Sequence, residues 1–150
     1  MIIEKILVPV DFSDYSKKAL SYATDLALHF NAKIVIIYVV EPQIYPADFT
    51  MGQVAAPSIN NELTEISQKE LNLLVEKEIG ERIPTEVLIK IGQPFQEIND
   101  TASELDVDLI VIATHGRSGF SKWAIGSVAE KILRSSCVPV LMVRAPGCIL

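Results

Sequence analysis

Five short apolar runs narrow this chain's fold more than any other feature. They are I-E-K-I-L-V-P-V at 3–10, K-I-V-I-I-Y-V-V at 33–40, P-T-E-V-L-I-K-I at 84–91, V-D-L-I-V-I-A at 107–113 and V-P-V-L-M-V-R at 138–144. Each has the length of a strand, and most lack the polar alternation of a sheet with one wet face. The segments between them carry helical spacing. From Ser13 to Phe30, Tyr15, Ala19, Tyr22, Ala23, Leu26 and Phe30 recur at helical intervals, with Ser13 as N-cap and Asn31 as terminator. Residues 59–80 place Ile59, Leu63, Ile66, Leu73 and Leu74 on one face, the other faces being rich in Glu and Lys. Gly92 breaks the third strand, Pro94 suits a first helical turn, and Phe95, Ile98, Ala102 and Leu105 form the next stripe. A last helix is expected over about 127–136. Strands alternating with helices in this way predict an α/β fold, an open five-stranded parallel sheet with helices on both faces. The aperiodic segment 42–58, with three prolines, is either a functional flap or locally mobile.

The 150 residues suit one domain, and no internal repeat is evident. With 49% apolar and 21% charged residues the chain can bury a core, which argues against disorder. Thirteen Lys and Arg against nineteen Asp and Glu give a net charge of −6, against non-specific nucleic-acid binding. The apolar runs are far too short to cross a bilayer, and M-I-I-E-K-I-L-V is unlike a secretory leader. The C-terminal C-I-L is one residue short of a prenylation box. Cys137 and Cys148 form no C-x-x-C pair. A cytoplasmic protein without membrane contact, disulfide framework or cysteine-based zinc site is expected.

In open α/β sheets ligands lie beyond the carboxyl ends of strands, where strand order reverses, usually beside the first strand. That directs attention to Pro9-Val10-Asp11, to Val39-Val40-Glu41 and to the stretch from Ala113 to Ser127. Gly126-Ser127 precedes a helix, whose free N–H groups form an anion site. Equally, S-V-A-E at 127–130 reads as a capping box, with Ser127 capping and Glu130 reaching back. Gly116 and Gly119 permit positive φ or a close backbone approach. Arg117 and Lys122 are cations that either neutralise phosphate or solvate the loop, and Trp123 is a packing anchor. Asp11 is either a turn residue or an acid for a ribose hydroxyl, a base amine or magnesium. His115 is at most a contact, and His29 suits a helix C-terminus. Neither G-x-x-x-x-G-K-[ST] nor G-x-G-x-x-G is present, which excludes Walker-type and dinucleotide-type sites.

Gly116 is followed by nine residues and then Gly126-Ser127. With K-I-L-V-P-V-D-F-S at the start, the second strand ending I-Y-V-V-E, G-Q-P opening the third helix and S-V-A-E-K-I-L-R-S-S-C-V-P-V-L-M-V-R at the end, the whole chain resembles the universal stress protein family. The resemblance implies a Rossmann-like, adenine-nucleotide alpha-hydrolase-like sheet with strand order 3-2-1-4-5. It implies that ATP, with Mg²⁺, is held as adenosine by Pro9, Val10, Asp11 and Val39, and by its phosphates on Gly116, Gly126, Ser127 and Val128. Ala113, His115 and Arg117 complete the expected site. Ala113 stands where nucleotide-binding members, with G-x2-G-x9-G-[ST], have their first glycine. A homodimer through strand 138–144 and an unknown protein partner are also implied. The function expected is an ATP-holding stress or signalling module. A slow ATPase and a dimeric interaction protein without nucleotide are the alternatives.

Overall fold

The computed structural model describes residues 2–42, 56–116 and 125–144, with the side chains of 56–62 excepted. The elements are β1 (Lys5–Pro9), α1 (Asp14–Phe30), β2 (Lys33–Val40), α2 (Ala56–Glu78), a 3₁₀ turn (Gly80–Arg82), β3 (Thr85–Ile91), α3 (Pro94–Glu104), β4 (Leu109–Ala113), α4 (Ser127–Ser135) and β5 (Val140–Val143). The five strands form one sheet in the order β3-β2-β1-β4-β5, and every pairing is parallel. The α/β class and the strand order are therefore as expected. Of the 42–58 segment, 43–55 lies outside the described residues.

The central strands β1, β2 and β4 are buried on both faces, which explains their continuous apolar runs, whereas the edge strands β3 and β5 are mostly half-buried. Ile6, Leu7 and Val8 are successive residues of β1 and all fully buried. Ile6, Val8, Ile34, Ile36 and Val111 join one cluster with Ala19, Ala23, Leu71 and Leu74 of α1 and α2. Leu7, Val35, Ile37, Ile110 and Ile112 join the other, with Ile98, Ala102, Ala129 and Ile132 of α3 and α4. Alternate residues along each strand thus serve opposite layers, each fully buried Ile or Leu being worth about 1.5–3 kcal/mol.

The helical stripes differ from their sequence reading. In α1 the expected Ala19 and Ala23 are buried and Tyr15 and Leu26 pack at the core edge, but Ser16, Leu20, Thr24 and Ala27 complete the buried set while Tyr22 and Phe30 are exposed. A helix lying on a flat sheet needs small side chains at closest approach, so the alanines turn inward and the aromatics sit at the flanks. In α2 Leu63, Ile66 and Leu73 are exposed, and Ser67, Leu71 and Leu74 are buried. The α3 stripe holds: Ile98 and Ala102 are buried, with Phe95 and Leu105 packed at their edge.

Strand starts are trimmed by local turns. Val107 N–H donates to Ala102 O at 2.9 Å, and Asp106 has φ 49°, so 106–108 belong to the α3–β4 turn rather than to β4. The Asp108 carboxylate accepts from Glu4 and Lys5 N–H at 2.8 and 2.9 Å, stitching β1 to that turn. Ser136 Oγ binds both backbone groups of Val138 at 3.1 Å, which delays β5 to Val140.

Candidate functional site

The strand order reverses between β1 and β4, and the carboxyl ends of strands at such a reversal are where open α/β sheets hold ligands. Asp11 reaches this point two residues past β1. The Val10 N–H still bonds Ile37 O at 2.9 Å, which carries the chain straight to the sheet rim. There the backbone turns sharply. Phe12 has φ 64°, a left-handed conformation costing about 1–2 kcal/mol in a residue with a Cβ. Its ring lies 4.8 Å from that of Tyr38 at the end of β2, a contact that offsets part of this cost.

The turn organises the carboxylate of Asp11. Its Oδ1 accepts from Ser13 N–H at 3.0 Å and from Ser13 Oγ at 2.5 Å. Ser13 Oγ accepts from Ser16 N–H at 3.2 Å, so it is the N-cap of α1, as the sequence predicted. The α1 terminator Asn31 is also as predicted, with φ 56°.

Gly116 meets Asp11 at this reversal. A Cβ built on Gly116 stands 2.7 Å from Asp11 Oδ2, closer than real Cβ atoms come to anything. Its glycine is thus required by close approach, the second of the two reasons open in the sequence, and not by positive φ. Gly126 completes the arrangement: its N–H donates to Thr114 O at 2.7 Å. A Cβ there is 3.4 Å from Thr114 O and 3.8 Å from His115 Cα, so the missing side chain leaves space over the 114–116 backbone.

The capping box at 127–130 does not form. Gly126 is the N-cap of α4, with φ −61° and ψ 145° and no side-chain cap, and Ser127 is the first helical residue, exposed. Glu130 turns away to Arg134, with Oε1 at 3.1 Å from Nε. A box needs its acid three residues after the cap, and a cap at Gly126 puts Glu130 one residue too far. Among the described residues no side chain caps the first N–H groups of α4, at Ser127 and Val128, where the helix dipole is positive.

The remaining expected residues fall into three groups. Pro9 and Val10 end β1, and Val39 lies at the end of β2, packed against the α3–α4 cluster. Ala113 is 7% exposed and belongs to the α1–α2 cluster, so its methyl packs into the core. His115 stands at the rim, its Nδ1 3.0 Å from Thr114 Oγ1 and its ring 5.7 Å from that of Tyr15. Arg117, with Gly119, Lys122 and Trp123, lies outside the described residues. Tyr15, Ser13 and Thr114 are site neighbours that the sequence reading missed. The D-x-S spacing at 11–13, typical of a carboxylate bonding two residues on, was the available signal. Among the described residues no group of three or more His, Cys, Asp or Glu is placed to hold a metal. No helix among them is long and apolar enough to cross a membrane.

The model of the universal stress protein family matches residues 3–144. The chain belongs to the universal stress protein family. It is 34% identical over 147 residues to universal stress protein MJ0531 of Methanocaldococcus jannaschii, covering 97% of this chain and 84% of that protein. Its fold is similar to the solved structure of hypothetical protein MJ0577 from the same organism, with TM-score 0.86, 23% identity, and 98% and 99% of the two chains covered. A universal stress protein from Archaeoglobus fulgidus, solved in complex with dAMP, superposes with TM-score 0.65 at 23% identity, over 95% and 98% of the chains.

Proposed function

We propose that this protein is a nucleotide-holding stress or signalling module that binds an adenine nucleotide, ATP above all, in the crevice between β1 and β4. The observation that carries the reading is the convergence of Asp11, Gly116 and Gly126 at the point where the sheet reverses. An acceptor, a close-approach glycine and a helix N-terminus are parts that a nucleotide site uses. The dAMP complex of the Archaeoglobus relative supports the ligand class. The Asp11 carboxylate repels phosphate, so it belongs at the nucleoside end, with Pro9, Val10 and Val39. The phosphates belong at the other end, on Gly126, Ser127 and Val128, where the dipole of α4 favours negative charge. Mg²⁺ would enter with the nucleotide and neutralise part of its phosphate charge, since among the described residues no cluster of acids is placed to hold it alone.

The core position of the Ala113 methyl supports binding, because a side chain packed inward adds no bulk to the crevice. His115 keeps its Nδ1 against a hydroxyl and its ring beside Tyr15, which favours a holding role over hydrolysis. We also assign dimerisation to β5. It is one of the two edge strands of the sheet, and Leu141 on it and Leu133 on α4 are exposed apolar residues.

Mass spectrometry of nucleotide released from purified protein, with calorimetric titration of ATP, tests the reading. Binding in the micromolar range is expected. Absence of both retained nucleotide and a titration signal would reject it. Gly126→Val places a branched side chain over the 114–116 backbone and is expected to abolish ATP binding while the dimer persists. Native affinity in that variant would refute the placement of the phosphates. A single-turnover assay with labelled ATP separates holding from hydrolysis.

A further inference from the structure

We propose that Ser13 is a positioning residue of this site, one whose hydroxyl sets the orientation of the Asp11 carboxylate. The inference rests on the nucleotide reading above and concerns how its acceptor is held. Ser13 Oγ has one proton. It accepts from Ser16 N–H at 3.2 Å, and its own proton is directed to Asp11 Oδ1 at 2.5 Å. Ser13 N–H donates to the same oxygen at 3.0 Å. Oδ1 is thus committed to the first turn of α1, and Oδ2 is the oxygen presented at Gly116.

The return path is closed as well. Asp11 N–H donates to Ser16 Oγ at 3.3 Å, and Ser16 Oγ donates to Ser13 O at 3.0 Å. Ser16 is 4% exposed, so this ring of bonds is anchored in the α1 core and not in solvent. Phe12, held at φ 64° between the two partners, is the conformation that lets an acid bond the residue two positions on. One hydroxyl therefore caps a helix and aims a ligand group. A donor on Oδ1 leaves the carboxylate a single rotamer, and a prearranged acceptor binds more tightly than one that must be ordered by the ligand.

The two roles separate in a substitution series at Ser13. Glycine is tolerated at an N-cap almost as well as serine, yet it has no hydroxyl for Asp11. Threonine keeps both functions. Calorimetric titration with ATP and with uncharged adenosine is expected to show Ser13→Gly about tenfold weaker for both ligands, and Ser13→Thr within about twofold of native. Melting temperatures of all three should stay within a few degrees. Ser13→Asp, which caps but has no proton to give, should weaken adenosine similarly. In an Asp11→Ala background, Ser13→Gly should cost nothing further, since Ser13 acts through Asp11.

Native affinity in Ser13→Gly would overturn the proposal and leave the nucleotide reading intact. Equal losses in Ser13→Gly and Ser13→Thr would overturn it too, because the hydroxyl would not be the cause. A tenfold further loss in the Asp11→Ala background would show that Ser13 acts by another route. A native protein that binds neither ligand removes the nucleotide reading and this inference together.

Discussion

Ala113 and Gly116 sit three residues apart at the same sheet rim and answer different physical demands. The Ala113 methyl fills the α1-side core, so Ala113→Gly trades a packed methyl for backbone freedom inside a strand. A loss of about 1–2 kcal/mol is expected in denaturant unfolding, with no gain in ATP affinity. Tighter binding in that variant would mean that the methyl obstructs the crevice. Gly116→Ala drives a Cβ to 2.7 Å from Asp11 Oδ2. Because Oδ1 is tied to Ser13, the carboxylate cannot swing away freely. Nucleotide affinity should fall about tenfold while the melting temperature falls by only a few degrees, read by titration and calorimetry on the same sample. Neither glycine's reason was legible in the sequence. Spacing marks Gly116 and Gly126 as a motif, but that Gly116 must avoid Asp11 Oδ2 depends on a residue distant in the chain.

Among the elements, α1 shows how a correct helix can carry a face that is only partly legible: Ala19 and Ala23 are buried as expected, Tyr22 and Phe30 are not. Its extent, its Ser13 cap and its Asn31 terminator are local properties, set by side chains within four positions of the ends. Its buried face is decided by the sheet beneath it, and there alanine outranks tyrosine. Ala23→Leu raises hydrophobicity yet should destabilise by about 1–3 kcal/mol, because Ala23 is fully buried against β1 and β4. Tyr22→Ala, at a position 47% exposed, should cost at most about 1 kcal/mol. Chemical denaturation of the pair checks the rotation directly, since a stripe centred on Tyr22 reverses the order. The same reasoning explains α4. The letters S-V-A-E permit a capping box, but Gly126 N–H bonding to Thr114 O starts the helix one residue earlier than a Ser127 cap requires.

For the whole molecule, the edge strand β5 is the test. A twofold dimer through β5 brings each residue near its own copy, so one substitution acts twice. Leu141→Arg, at an exposed position of that strand, should convert dimer to monomer in analytical ultracentrifugation while leaving ATP affinity within about twofold. A native protein that sediments as a monomer would remove the dimer assignment. In the sheet β4 stands between β1 and β5, so the proposed nucleotide site and the proposed dimer edge can be tested apart. The class of this sheet was legible because buried parallel strands must be continuously apolar and their crossovers must be long enough for a helix. Helix ends and the D-x-S turn were legible because capping is short-range chemistry. The full faces that α1 and α2 bury, the trimming of β4 by the Asp106 turn, the failed capping box and the meeting of Asp11 with Gly116 were settled only by tertiary structure. All of these depend on contacts between residues far apart in sequence, whose distances no local pattern encodes.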